Sequence, residues 1–432
     1  MPQAATTNPW TQLGQFLRGS LPVLERVSRD ERPLVPFKLG MLQGYLANHP
    51  DIVQAGLESE QWPPLTRGRM DFIKYWYEGG LATKTGPVHD LHRDRMWIPH
   101  LADPAILERG IEEAVRWPEQ WRDGGTIEAY DDLRRMAYGI GWRALTGESL
   151  HERRPVVYDA LAAGDAWLGR LVHPLGTLRW RLPTPESRRG HQLRRALDSA
   201  IDSAAATRRN GFEGHDLLLD WVRMNDELGG TDADLRGSVK AFFGAENLHT
   251  HLAWTFYLLA QNPEVEARLH AELDTVLDGR PPKPDDIEAL EYTRHVVTES
   301  LRIYPSVPAF FRGIRGDGLQ LGDDLVPAGS LLGFSPWTMQ RDARWWPDPL
   351  RFDPDRWGAG RERPPRFAYF PFAAGPYRCP GTAKSVKEGP LVLATLAQNW
   401  RLRIPAGAPA PVPTATWALR PRDGMPMITE RR

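Results

Sequence analysis

Cysteine is almost missing from this chain: Cys379 is the single one among 432 residues. One thiol excludes an internal disulfide and a zinc site built from several thiolates, and it suits a reducing compartment. Long apolar runs are missing as well. No stretch reaches the ~18 uninterrupted apolar residues of a membrane-spanning helix, and the start, Met-Pro-Gln-Ala-Ala-Thr-Thr-Asn-Pro-Trp, has neither a basic nor an apolar signal region. A cytoplasmic protein with no membrane segment is expected. Excess charge is lacking too: 54 Lys and Arg against 55 Asp and Glu leave a formal net charge of −1, which argues against bulk nucleic-acid binding. Gly/Ser linkers, low-complexity tracts, internal repeats and flavin or nicotinamide fingerprints are all absent. At ~150 residues per domain the length would allow up to three domains, but without a linker one domain over residues 1–432 is expected. A hydrophobic share of 41% is ample for a single large core.

What the chain does have is a distinctive setting for its cysteine, Phe372-Ala-Ala-Gly-Pro-Tyr-Arg-Cys-Pro-Gly381. A lone thiolate suits an iron that takes one protein ligand. Gly375 and Gly381 permit tight turns on either side of the sulfur, and Pro380 removes an amide donor just after it. A buried core thiol is the plainer alternative. The pattern Phe-x-x-Gly-x-x-x-Cys-x-Gly, at Phe372, Gly375, Cys379 and Gly381, resembles the haem-ligand loop of the cytochrome P450 family.

Further motifs follow the order of that family over about residues 69–420. His89 and Arg93, after Gly86-Pro87, are spaced i, i+4 and share a helical face; alone they could equally be a solvated basic face. The resemblance assigns them to haem propionates. Thr231-Asp-Ala-Asp234 reads as a capping box, and helical spacing from Leu235 to Gln261 predicts one long helix of ~40 Å, stopped by Asn262-Pro263. It resembles the helix crossing the distal haem face, at Gly244-Ala-Glu-Asn247. Gly244 and Glu246 match, but Asn247 stands where the family usually has a Thr whose hydroxyl handles protons during dioxygen activation. Asn can donate and accept hydrogen bonds without passing a proton as a hydroxyl does. Glu246 in an apolar helix needs a role or a partner, with His249 and Arg236 as candidate partners.

Glu299-Ser-Leu-Arg302 places an acid and a base on one helical face, a weak signal alone. With Arg356 the family has a buried triad behind the cysteine loop. Extended X-Pro geometry keeps Val307–Phe311 out of helix, and the resemblance puts Arg312 on a propionate. Two residues before Cys379 the family most often has Arg or His, whereas this chain has Tyr377. Thr382–Trp400 reads as a helix whose positive end would lie near the thiolate.

The resemblance thus implies a mainly α fold with a small β region, the cytochrome P450 fold, holding one haem b between the long distal helix and the Cys379 loop. The implied activity is monooxygenation of a C–H bond, with Cys379 as metal ligand, Phe372 and Tyr377 beside the haem, and Glu246 and Asn247 as catalytic residues. Electrons would come from a separate ferredoxin and ferredoxin reductase, met at a basic face near Arg95, Arg378, Lys384 and Lys387. Atypical haem-thiolate chemistry and a non-catalytic haem sensor are the rivals. Phe72, Trp180, Phe243, Phe310 and Phe311 are candidate contacts for a small hydrophobic substrate such as a terpenoid or polyketide intermediate, though core packing explains such residues equally well. The aromatic stretch Arg69–Gly86 reads as a mobile loop and residues 1–60 as a peripheral cap of short helices and loops; Trp167–Pro185 resembles the family's lid, with a structural loop holding buried Trp residues as the equal alternative. A monomer is expected.

Overall fold

Helices form where apolar spacing and capping agree. The computed structural model describes residues 8–59, 75–84, 86–150, 155–171, 182–244, 247–415 and 417–432. These residues are mainly helical with a small β region, as expected. They fall into two compact units, each assembled from separated stretches: Met1–Leu65 with Thr298–Cys379 and Ala410–Asp423, and Thr66–Val297 with Pro380–Pro409 and Gly424–Arg432.

The second unit is a set of packed helices. The helix Ala129–Thr146 starts where the Glu128 carboxylate accepts the amide of Asp131 and ends at Gly147, whose φ of 72° is the left-handed conformation glycine adopts cheaply. Leu133, Met136 and Ile140 are wholly buried along it, each stabilising the fold by ~2 kcal/mol. It packs on the helices Pro104–Arg116 and Leu248–Gln261. The helix Asp232–Gly244 opens with the expected capping box: Thr231 Oγ1 accepts from the Asp234 amide, and the Asp234 carboxylate accepts from the Thr231 amide at 2.8 Å. The long helix predicted from Leu235 to Gln261 is two described helices instead, Asp232–Gly244 and Leu248–Gln261, because Asn247 at the head of the second has φ −102° and ψ 13°, outside the helical range. Asn262 and Pro263 stop the second helix as expected, and the next, Pro263–Leu277, starts on the proline.

In the second unit three antiparallel strands, Thr126–Glu128, Pro426–Arg431 and Trp400–Arg403, form a small sheet. The helix expected over Thr382–Trp400 ends at Ala397, and Trp400 begins a strand of this sheet. The stretch expected to be a broken lid from Trp167 is helical as far as Leu171, in the helix Pro155–Leu171; residues 172–181 lie outside the described ones.

The first unit is built on a four-stranded sheet ordered Leu34–Leu39, Leu42–Ala47, Leu331–Phe334, Phe310–Gly313. The first two strands correct the expectation of helices and loops alone before residue 60. Leu34–Leu39 and Leu42–Ala47 form a hairpin, and Leu42–Ala47 pairs parallel with Leu331–Phe334. Side chains alternate across a strand, so Phe310 and Arg312 share one face and Phe311 takes the other. Phe310 stacks on Phe334 with centroids 5.4 Å apart, within a core that includes Val53, Leu57, Leu332 and Phe370. Phe311 meets Phe16 and Phe37 edge-on at 5.7 and 6.4 Å on the opposite side.

Candidate functional site

In the first unit the cysteine loop is held by contacts that the residues themselves explain. The Cys379 amide donates to the Phe372 carbonyl at 3.0 Å, closing the loop on its own ends. Gly375, at φ 69°, lies where an added Cβ would come within 2.0 Å of the Leu57 carbonyl oxygen, so no other residue fits without moving the backbone. Ala373 also has a positive φ, 55°, which costs a non-glycine residue about 1 kcal/mol. Cys379 itself is partly exposed.

Behind the loop lies the acid and base cluster read from the sequence. Glu299 and Arg302 are fully buried and paired at two points, Nε to Oε2 at 2.9 Å and Nη2 to Oε1 at 2.8 Å. Arg356 Nε reaches Glu299 Oε1 at 3.2 Å. The indole N–H of Trp357 and the amide of Asp353 donate to the same carboxylate at 3.0 and 3.2 Å. Arg302 spends its remaining donors on the carbonyls of Gln340, Pro349 and Arg351, and its guanidinium lies 5.0 Å from the Trp346 ring. A buried ion pair saturated in this way is structural, fixing the chain around it. Trp357 and Gln340 were invisible to sequence reasoning, since no spacing along the chain marks a contact made by folding.

On the face of the sheet shared with Phe310, Arg312 is buried, its guanidinium 5.0 Å over the Tyr377 ring. Burial pulls its pKa down to about 10, with Tyr377 opposing. The structure brings Arg312, Tyr377, Phe372 and Cys379 onto one unit, as the sequence order suggested. Phe311 is on the other face, so strand alternation separates it from Phe310 as a substrate contact.

In the second unit, His89 belongs to the helix Gly86–His92, and Arg93 opens a π-helical turn, Arg93–Trp97. His89 Nδ1 lies 3.0 Å from Asp90, and Arg93 Nε donates to Asp94 at 2.8 Å. Both side chains are mostly covered rather than spread on a solvated face. Asn247 is half-buried at the head of its helix. Glu246, Phe72 and Trp180 lie outside the described residues. Of the partners weighed for Glu246, His249 Nε2 lies 3.2 Å from the Tyr130 hydroxyl, and Arg236 is bound by Glu78 and Asp202. Phe243 is buried in the core, stacked 6.2 Å from Trp142 and edge-on to Phe242. Lys384, expected on a basic surface, is buried and paired with Glu388 one turn on, over the Phe242 ring at 5.5 Å. Arg95 and Arg378 are exposed.

The described part of the aromatic stretch is pinned rather than loose. Glu78 receives Arg194, Arg236 at 3.1 Å and Lys240 at 3.6 Å, while Lys240 also reaches Asp198 at 2.8 Å. Burial lowers the pKa of Lys240, and the two carboxylates draw it back. Gly80 and Gly237 let backbone meet backbone here: a Cβ on Gly80 would come within 2.1 Å of Gly237.

Among the described residues no group of three or more His, Cys, Asp or Glu side chains is arranged to hold a metal ion. Haem iron takes most of its ligands from the porphyrin and needs one from the protein. The single half-exposed thiol in a loop fixed from behind fits that group. No helix of the described residues is long and apolar enough to cross a membrane.

Comparison with known proteins agrees with these features. The family model for Cytochrome P450 matches residues 2–425, across both units. The chain is 32% identical over 94% of its length to the Cyclooctat-9-en-7-ol 5-monooxygenase of Streptomyces melanosporofaciens, covering 87% of that protein. It is also 32% identical to the Pentalenene oxygenase of Streptomyces avermitilis over 89% of this chain and 87% of that one. Among solved structures, the cytochrome P450DA heme domain shares the fold at a TM-score of 0.86 and 21% identity, over 99% of this chain and 96% of the other. A match that runs nearly end to end, around a cysteine loop of this build, means that the chain belongs to the cytochrome P450 family and is a haem b monooxygenase.

Proposed function

We propose that this P450 oxidises an unactivated C–H bond of a hydrophobic terpenoid, with electrons delivered by a separate ferredoxin and its reductase. The observation that carries the substrate class is the nearly full-length similarity to two proteins named for terpenoid oxidation, a cyclooctatenol monooxygenase and a pentalenene oxygenase. The absence of flavin and nicotinamide fingerprints from the sequence supports an external electron donor. Cys379 would supply the thiolate, and His89, Arg93, Arg312 and the Tyr377 hydroxyl would face the propionates. Haem held by a thiolate activates dioxygen for insertion into C–H bonds. The protein's own part is to bind a hydrophobic molecule, exclude water and manage protons. For the last task Glu246 and Asn247 are the candidates: the Asn247 amide can donate to one water and accept from another, and so anchor water where a hydroxyl usually stands.

A second reading is favoured by one observation. Asn247 in place of the usual Thr suits an enzyme driven by hydrogen peroxide, which brings its own protons. Haem-loaded protein incubated with a terpenoid panel, a surrogate ferredoxin and reductase, and ¹⁸O-labelled dioxygen separates the two. The expected result is reductase-dependent product carrying one labelled oxygen. Turnover with hydrogen peroxide alone, and none with the redox partners, would overturn the proposal. The ligand itself is tested by Cys379→Ser, which is expected to remove the red-shifted band of the reduced carbon monoxide complex; a retained band would mean that Cys379 is not the ligand.

A further inference from the structure

Gln340 bonds the buried acid and base cluster at Arg302 and the chain just ahead of the cysteine loop at Phe370. It caps the short helix Pro336–Met339, and its side chain is wholly buried. Its carboxamide is used at both ends. Nε2 donates to the carbonyls of Leu301 and Arg302, each at 3.0 Å, at the end of the helix Glu291–Ile303. Oε1 accepts the amide of Phe370 at 3.1 Å, two residues before the loop begins. Its backbone carbonyl accepts Arg302 Nη1 at 2.8 Å. A buried amide side chain with both ends satisfied acts as a rigid spacer, because breaking either bond leaves a polar group without water to replace it.

The path onward to sulfur is short and made of backbone. Phe370 is buried, and its carbonyl accepts the Ala373 amide at 3.1 Å. Phe372, the next residue but one, accepts the Cys379 amide at 3.0 Å. Between them the chain passes through two left-handed residues, Ala373 and Gly375, a conformation that needs its flanks fixed to persist. Phe370 is thus an anchor of the loop, and Gln340 fixes Phe370.

We propose that Gln340 is a positioning residue for the Cys379 thiolate: it transmits the rigidity of the Glu299, Arg302 and Arg356 cluster to the loop through one side-chain amide. This deepens the reading of Cys379 as the iron ligand and rests on it. No element of a general folding role requires the effect to reach the loop, and that difference is measurable.

Three variants of the haem-loaded protein decide it. Gln340→Met keeps the volume and removes all three side-chain bonds. Gln340→Glu keeps the shape and the acceptor for the Phe370 amide. Trp357→Phe removes one bond to Glu299 in the same cluster but none to the loop. Gln340→Met is expected to speed hydrogen exchange of the Phe370, Ala373 and Cys379 amides about tenfold, the loss of a hydrogen bond's protection, and to lose the red-shifted carbon monoxide band well below the unfolding temperature. Gln340→Glu is expected to keep slow exchange at Phe370 and the band. Trp357→Phe is expected to lower the unfolding temperature with loop exchange and band following in step. The proposal is overturned if Gln340→Met behaves like Trp357→Phe, or if the loop amides of Gln340→Met exchange as in the parent. Should Gln340→Met not accumulate, fast loop exchange in a folded Gln340→Glu protein overturns it equally. A parent protein without the red-shifted band would refute the ligand reading alone, while the exchange data still report on Gln340.

Discussion

The guanidinium of Arg312 lies 5.0 Å over the ring of Tyr377, on the face of the first unit's sheet that also carries Phe310. The pairing explains a departure that the sequence alone left open. Where the resemblance leads one to expect a cation two residues before the cysteine, this chain has an aromatic ring, and the ring packs against the cation of the strand Phe310–Gly313 with cation–π attraction. Tyr377 also packs on the core that includes Leu57 and Phe370.

Tyr377→Ala is therefore expected to cost about 1–2 kcal/mol, combining lost packing with a lost cation–π contact. Tyr377→Phe, which keeps the ring, is expected to stay within about 0.5 kcal/mol. Chemical denaturation of the two variants checks the difference; equal losses would mean that the ring does not support Arg312.

The buried carboxylate of Glu299 serves two arginines, an indole and an amide at once. Glu299→Ala or Arg302→Ala leaves the opposite charge buried without its partner, at a cost of about 3–5 kcal/mol. Low recovery of holoprotein is expected, with normal activity per haem in whatever folds. A variant that accumulates normally but does not turn over would contradict the structural role.

Asn247 stands at the head of the helix Leu248–Gln261, where the resemblance leads one to expect a Thr. If it anchors the water that carries protons, Asn247→Ala is expected to raise hydrogen peroxide release severalfold and lower product per electron, whereas Asn247→Thr keeps coupling. The measurement is the ratio of product and peroxide to electrons consumed. Unchanged ratios in Asn247→Ala would reduce the residue to a packing role.

His251 is sealed in the second unit, its Nε2–H donating to the Val297 carbonyl at 3.2 Å, and burial drives its pKa down to about 4. The imidazole stays neutral in the folded chain but takes a proton near pH 6.5 when unfolded. Its contribution is complete above about pH 6.5 and is lost as the pH falls toward 4, up to about 3 kcal/mol in all. Denaturation between pH 7 and 4.5 should show a loss that His251→Gln reduces; identical pH slopes in both proteins would remove His251 as the cause.

Much of this protein is determined by local sequence. The capping box at Thr231, the stop at Asn262-Pro263 and the non-helical Val307–Phe311 stretch rest on neighbours within a few residues, where backbone sterics and side-chain caps decide the outcome. The cysteine loop is legible for the same reason, since Gly375 turns the chain at a φ of 69° that glycine adopts cheaply. Tertiary structure alone decided what depends on residues far apart in the chain. It drew Leu34–Ala47 into a sheet with Leu331–Phe334. It set Phe311 on the far face from Phe310, and it buried Lys384 beside Glu388. Gln340, Trp357 and Glu78 carry no signature in their own neighbourhoods, because a hydrogen bond or an ion pair across 30 to 158 positions exists only once packing has excluded water and brought its two ends together.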